Sequence, residues 1–183
     1  MPMKFESKEI SLKDGRKALL RSPTVDDAQD LLNYLKQTAG ETPFLLRTPE
    51  ECSMSVEEEV RFIENMSSSE FSLMILCTVD GRIAGNCQLS RKTKIRNRHR
   101  GTIGIALIRE FWNLGIGTAM FRELISLGMQ WGLSQLELEV IEGNHRAMGL
   151  YEKMGFQTVA AHPDAIRLED GTVLKEFLMV KKL

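Results

Sequence analysis

The sequence predicts a mixed α/β fold, a central sheet of parallel and antiparallel strands flanked by helices on both faces. Three observations carry this. Some segments repeat apolar residues at helical spacing, others hold short β-rich runs, and the two kinds alternate irregularly along the chain. The Asp-Gly dipeptides at 80–81 and 170–171 join neighbouring apolar runs in the manner of hairpin turns. Elsewhere whole helices separate the strands, as crossover connections do, so the sheet must be mixed.

The elements follow in order. Lys17–Arg21 reads as a strand leading into a helix capped by Thr24, with Asp26 and Asp27 in its first turn and Gly40 just past its end. Beyond a loop with Pro43 and Pro49, Ser55 and Glu58 stand in capping-box spacing, and Val56, Val60 and Ile63 keep helical period. Residues 71–92 form two strands about Asp80-Gly81, and 101–108 is apolar on both faces, which marks a central strand. From Gly115 onward Ile116, Met120, Leu124, Leu127 and Trp131 define an amphipathic helix. Gln135–Ile141 alternates as a strand, Asn144 caps a short helix ended by Gly155, and two strands close around Asp170-Gly171. The predicted order is β, α, α, β, β, β, α, β, α, β, β.

Composition narrows the function classes. A length of 183 residues suits one domain spanning 1–183, and 43% hydrophobic with 27% charged residues is ordinary for a globular protein. The formal charge of −1 supplies no global field for nucleic acid or an anionic membrane. No apolar run is long enough to span a bilayer or act as a secretory signal, so a cytoplasmic protein without a membrane partner is expected. Cys52, Cys77 and Cys87 lack paired spacing, and His99, His145 and His162 are scattered, so neither disulfide nor metal site is expected. One local exception is residues 90–100, with six Lys or Arg, which read as a solvated loop or a patch for an anionic partner.

The stretch Asn113, Leu114, Gly115, Ile116, Gly117 and Thr118 lies where a strand becomes a helix. Helix N-termini carry unpaired N–H groups at the positive end of the dipole, and bare glycines let a bulky anion such as a diphosphate reach them. A tight strand-to-helix connection is the competing reading. The spacing fits neither the dinucleotide fingerprint nor the Walker loop: position 120 is Met, and no Gly-Lys-Ser/Thr follows. About 20 residues beyond the turn comes a second constellation, with Glu137 and Glu139 on a strand, Asn144 at a cap, Ala147, and Tyr151 seven residues past Asn144. Each has a structural reading: solvated strand edge, plain cap, or amphipathic core residue.

Together the two stretches resemble the GCN5-related N-acetyltransferases (GNAT). Their Arg/Gln-x-x-Gly-x-Gly/Ala signature is read here as Trp112-Asn113-Leu114-Gly115-Ile116-Gly117, and their Asn-x-x-Ala-x-x-x-Tyr-Glu-Lys-x-Gly-Phe segment runs from Asn144 to Phe156. Trp112 departs from the usual Arg or Gln but also occurs in the ribosomal-protein N-acetyltransferase-like branch. The resemblance implies a GNAT-type sheet, acetyl-coenzyme A as co-substrate, and no metal. It implies that the backbone of Ile105, Ala106 and Leu107 pairs with the pantetheine arm. Asn113 to Thr118 would hold the pyrophosphate, and Asn144 and Tyr151 would contact the cofactor.

The implied reaction is attack of an amine on the thioester in a ternary complex. An alkylammonium has a pKa of about 10.4 and a thiol one near 8.5, so the nitrogen must lose a proton and the leaving thiolate regain one. By resemblance Glu139 is the base and Tyr151 the acid; Glu137, on the same face, or water are alternatives for the base. The acceptor would be set by regions 31–66 and 161–177, where no motif names it. A non-catalytic acyl-coenzyme A sensor or docking module of the same fold is the second reading. Homodimers are frequent among such relatives, and nothing in the sequence selects an interface.

Overall fold

Chain order and strand order diverge only near the C-terminus. In the computed structural model, which describes residues 4–183, the elements are β1 (Lys8–Ser11), β2 (Lys17–Arg21), α1 (Ala28–Glu41), α2 (Val56–Ser67), β3 (Ser72–Val79), β4 (Arg82–Arg91), β5 (Arg100–Leu107), α3 (Ile116–Gln130), β6 (Gln135–Ile141), α4 (His145–Lys153), β7 (Gln157–Arg167) and β8 (Val173–Lys182). The sheet order is β1-β2-β3-β4-β5-β6-β8-β7. Strand β5 runs parallel to β6, whereas β1 to β3 and β6, β8 and β7 pair with antiparallel neighbours, so the sheet is mixed as expected. The chain divides into two compact units. One comprises residues up to Ser90 with Gly104–Met120, the other Arg91–Ile103 with Phe121–Leu183.

In the first unit a meander of strands carries α1 and α2. Leu20, Leu31, Ile63, Ile75 and Leu76 are almost fully buried and form its core. Thr24 caps a short 3-10 turn, Val25–Asp27, that feeds α1. There the Asp27 carboxylate accepts two hydrogen bonds from the Arg21 guanidinium, at 2.6 and 2.7 Å, and one from the Thr24 amide at 2.7 Å. Burial would raise the Asp27 pKa, but these donors outweigh it and hold the carboxyl below its ordinary range. The α2 capping box is formed, Ser55 N donating to Glu58 at 2.8 Å and Glu58 N to Ser55 Oγ at 3.2 Å. The Asp80-Gly81 turn places both residues at positive φ, 50° and 78°.

Two expectations are corrected here. Strand β1 was not anticipated, because Lys8-Glu9-Ile10-Ser11 is an almost fully exposed edge without an apolar face. Gly40 does not stop α1, which runs one residue further to Glu41. Thr42 breaks it instead, extended at φ −155° and ψ 142°, as the residue before Pro43 must be to avoid the proline ring.

In the second unit Phe121 of α3, Tyr151 of α4 and Phe156 form an aromatic cluster with ring centroids 5.3 to 6.4 Å apart, worth about 0.5–1.5 kcal/mol per pair beyond simple burial. Strand β8 inserts between β6 and β7, setting Glu137 opposite Val180 and Glu139 opposite Leu178. Strand β6 does not alternate as predicted: Glu137 is buried while Glu139 on the same face is exposed. The cause lies in the cations that surround Glu137.

Candidate functional site

The first part of the site is made of backbone. Asn113 has φ 63° and Gly115 φ 97°, a left-handed geometry that glycine adopts freely and asparagine tolerates. A Cβ at Gly115 would meet nothing within 4 Å, so the space above this turn is open. Helix α3 begins at Ile116, and its first backbone bond is Ala119 N to Gly115 O at 3.1 Å. The N–H groups of Ile116, Gly117 and Thr118 therefore precede the helical ladder and lie at the positive end of a 15-residue dipole. Lys13 N donates to Leu114 O at 3.1 Å and ties the turn down.

The strand leading into this turn is held from two sides. Tyr34 of α1 is buried, and its hydroxyl lies 2.8 Å from Ala106 O and 3.0 Å from Asn86 Oδ1, while accepting from Asn86 N at 3.1 Å. Burial pushes its pKa well above the usual phenol value, so the proton stays on oxygen and available for donation. Trp112 Nε1 donates to Leu107 O at 2.9 Å, and the Arg109 guanidinium sits 5.4 Å over its ring. Arg109 N donates to Glu41 Oε2 at 2.6 Å, and its guanidinium reaches the Glu41 carbonyl. The residue that departs from the family signature thus braces the strand end. Pairing of β5 with β6 runs from Arg100–Gln135 to Thr102–Glu137, so Ile105, Ala106 and Leu107 lie past its last rung.

The second part is made of side chains. Arg100 donates to Glu137 Oε2 from Nη2 at 2.5 Å and from Nε at 3.0 Å, and Lys92 Nζ lies 3.5 Å from Oε1. The Glu137 side chain is 6% exposed, and both its oxygens face cations, which leaves it poorly placed to take a proton from a substrate. Glu139 is exposed. Its charge acts on Glu176 of β8, whose pKa is raised by burial first and by Glu139 second, and lowered by His162. Two members of the basic run, Lys92 and Arg100, are thus engaged with a buried acid, which excludes the solvated strand edge as the setting of Glu137. The signal was the pairing of Thr102 with Glu137, invisible without the register.

Asn144 caps α4, its Oδ1 accepting from Ala147 N at 3.3 Å. Tyr151 is buried against Phe121, and burial raises its phenol to a pKa of about 12. Ile105, Ala106, Leu107, Asn113, Leu114, Gly115, Ile116, Gly117 and Thr118 all fall in the first unit; Glu139, Asn144 and Tyr151 fall in the second. Among the described residues no group of three His, Cys, Asp or Glu side chains is arranged to hold a metal. No helix there is long and apolar enough to cross a membrane.

A strand-to-helix glycine turn after a braced strand, in a mixed sheet of this order, defines a class. The sequence profile of the acetyltransferase (GNAT) family matches residues 34–156, and the chain belongs to that family. It is similar to the L-amino acid N-acetyltransferase AaaT of Escherichia coli, 27% identical over 84 residues, 45% of this chain and 52% of that one. It is also similar to a putative [ribosomal protein bS18]-alanine N-acetyltransferase of Bacillus subtilis, 28% identical over 99 residues, 52% of this chain and 61% of that one. These matches span between half and two thirds of the curated relatives' lengths. An acetyltransferase of the GNAT family from Streptococcus pneumoniae superposes with a TM-score of 0.85 at 28% identity, over 91% of this chain and 99% of that one.

Proposed function

We propose that this protein transfers an acetyl group from acetyl-coenzyme A to a primary amine by direct attack in a ternary complex. The observation that carries the reading is the turn at Asn113 and Gly115, left-handed at both residues and open above Gly115, at the start of α3. The diphosphate would accept from the amides of Asn113 to Thr118, a preorganised anion site that needs no lysine. The pantetheine arm would pair with Ile105, Ala106 and Leu107 as an added strand. Ala106 O and Leu107 O are already engaged by Tyr34 and Trp112, so the strand is fixed before the arm arrives. Asn144 and Tyr151 are assigned to the same cofactor by family resemblance. Both curated relatives are named for acetylation of amines, which favours the same acceptor chemistry.

In the proposed step the amine nitrogen attacks the thioester carbonyl, an N–C bond forms and the C–S bond breaks. Glu139, exposed on β6, takes the proton lost by nitrogen, and Tyr151 donates to the departing sulfur. A phenol at about 12 is a weaker acid than a thiol near 8.5, so full proton transfer before bond cleavage is uphill by roughly 5 kcal/mol. Tyr151 therefore works by hydrogen-bonding the sulfur as its charge develops, with protonation completed as the bond breaks. Positioning of the two reactants supplies much of the remaining acceleration.

The test is thiol release from acetyl-coenzyme A with an amine panel, run on wild type and Tyr151→Phe, beside calorimetric titration of the cofactor. The reading expects wild-type turnover, loss of about 100-fold in kcat for the variant and unchanged cofactor affinity. Cofactor binding with no turnover of any amine would overturn the enzymatic reading.

A further inference from the structure

Strands β4 and β5 are neighbours in the sheet and are joined by a short loop, so they run antiparallel. In the first unit Ile108 N donates to Ala84 O at 2.9 Å, which makes 84 and 108 a closely bonded pair. The next such pair lies two residues along, Asn86 with Ala106, where the Asn86 N–H and the Ala106 carbonyl are natural partners. Both groups are held by a side chain from α1. Asn86 N donates to the Tyr34 hydroxyl at 3.1 Å, and that hydroxyl lies 2.8 Å from Ala106 O. A phenol oxygen thus bridges a rung of the sheet. A buried tyrosine needs only one partner for its hydroxyl, and Asn86 Oδ1 at 3.0 Å would serve. Taking a donor and an acceptor that face each other across two strands does more, because it fixes how far apart those strands stand.

Gly85 acts on the same stretch. A Cβ there would come within 2.8 Å of Ala106 O and would overlap Leu107 Cδ2, so β4 is bare where residues 106 and 107 press on it. Backbone groups alternate sides along a strand, so turning those of Ala106 toward β4 turns those of Ile105 and Leu107 toward the opposite edge. We infer that Tyr34 is a positioning residue for the acetyl donor: its hydroxyl, with the bare Gly85, sets where Ala106 and Leu107 stand and so aims the backbone of Ile105 and Leu107 at the pantetheine arm. The inference rests on the acetyl-transfer reading and on its placing of the arm along this strand. Tyr34 touches no reacting atom and acts through β5. Tyr34, Gly85, Asn86 and residues 105–107 all lie in the first unit. A strand set in advance by a buried ring spares the arm the cost of ordering it on binding. Removing the oxygen lets β4 and β5 close to a direct rung of about 2.9 Å, which draws Ala106 back toward β4.

The test is calorimetric titration of wild type, Tyr34→Phe and Gly85→Ala with three ligands: acetyl-coenzyme A, acetyl-pantetheine, which is the arm alone, and ADP, which carries a diphosphate without the arm. In Tyr34→Phe the affinities for acetyl-coenzyme A and acetyl-pantetheine should each fall about 10-fold, while that for ADP stays within about twofold. In steady-state assays KM for acetyl-coenzyme A should rise by the same factor, with kcat at saturation unchanged. Gly85→Ala keeps the hydroxyl but displaces Ala106 and Leu107, and should weaken the same two ligands about 3- to 10-fold. It decides the matter if Tyr34→Phe does not fold, and unchanged affinities there would overturn the inference. A merely structural tyrosine would lower the melting temperature of Tyr34→Phe and leave both arm-bearing ligands bound as in wild type. That result, or an equal loss for ADP, would also overturn it. Wild type that binds no acetyl-coenzyme A would instead remove the acetyl-transfer reading, and the inference with it.

Discussion

The glycine turn and the cavity beside Glu137 are built from opposite materials. At the turn the polar groups are backbone amides, presented by left-handed residues at 113 and 115 and by the start of α3. At the cavity they are side chains, gathered from a loop and three strands around one buried carboxylate. A backbone site is robust to side-chain change and fragile to conformational change; a side-chain site is the reverse. That contrast can be broken or sharpened by substitution.

The largest effect is expected in the second unit. Tyr151→Phe deletes one oxygen from a packed ring and should cut kcat by about 100-fold, with no loss of melting temperature, measured by single-turnover kinetics and thermal unfolding. Next comes Gly115→Val. A β-branched residue at φ 97° is strained by about 1–3 kcal/mol, and its side chain would project into the open space above the turn. Acetyl-coenzyme A affinity should fall 10- to 100-fold by calorimetry, while Asn113→Gly, which removes a side chain and keeps the left-handed option, should stay within about twofold. If Asn113→Gly proves as damaging as Gly115→Val, the turn works through side chains and the contrast fails.

Smaller effects concern scaffolding. Asp27→Asn removes the negative charge and one of the two oxygens that accept from the Arg21 guanidinium and should destabilise the fold by about 1–3 kcal/mol at pH 7 in denaturant unfolding. The sign follows from Asp27 having a depressed folded pKa: its contribution is present above the unfolded value near 3.9 and is lost as pH falls through the lower folded value. Wild type and variant should therefore converge in stability as pH falls below the unfolded value. The smallest effect is expected for Trp112→Phe, which keeps the ring beneath Arg109 but removes the N–H from Leu107 O. KM for acetyl-coenzyme A should rise about 3- to 5-fold, in line with one hydrogen bond of about 1 kcal/mol, with kcat unchanged.

The same contrast explains what was legible in the sequence. The α2 capping box, the Asp80-Gly81 turn, the Asn144 cap and the glycine turn are local devices whose residue types and spacing carry their geometry, and each can be read directly. Strand β1 is polar, short and at an edge, so no apolar pattern announces it. The end of α1 depended on Pro43 acting through Thr42, a stronger constraint than the preceding Gly40. The burial of Glu137 was not readable, because its partners Arg100 and Lys92 are 37 and 45 residues away and meet it only through parallel pairing of β5 with β6. The brace by Tyr34, 72 residues from Ala106, was hidden for the same reason.

The most direct test of backbone capture of the cofactor uses the unmodified protein and two ligands that differ in the diphosphate arm. Titration calorimetry with acetyl-coenzyme A and with acetyl-pantetheine, which lacks the diphosphate and nucleotide, should show affinity at least about 100-fold weaker for the truncated ligand, about 2.7 kcal/mol. Equal affinity for the two would contradict the assignment of Asn113 to Thr118 as the diphosphate site.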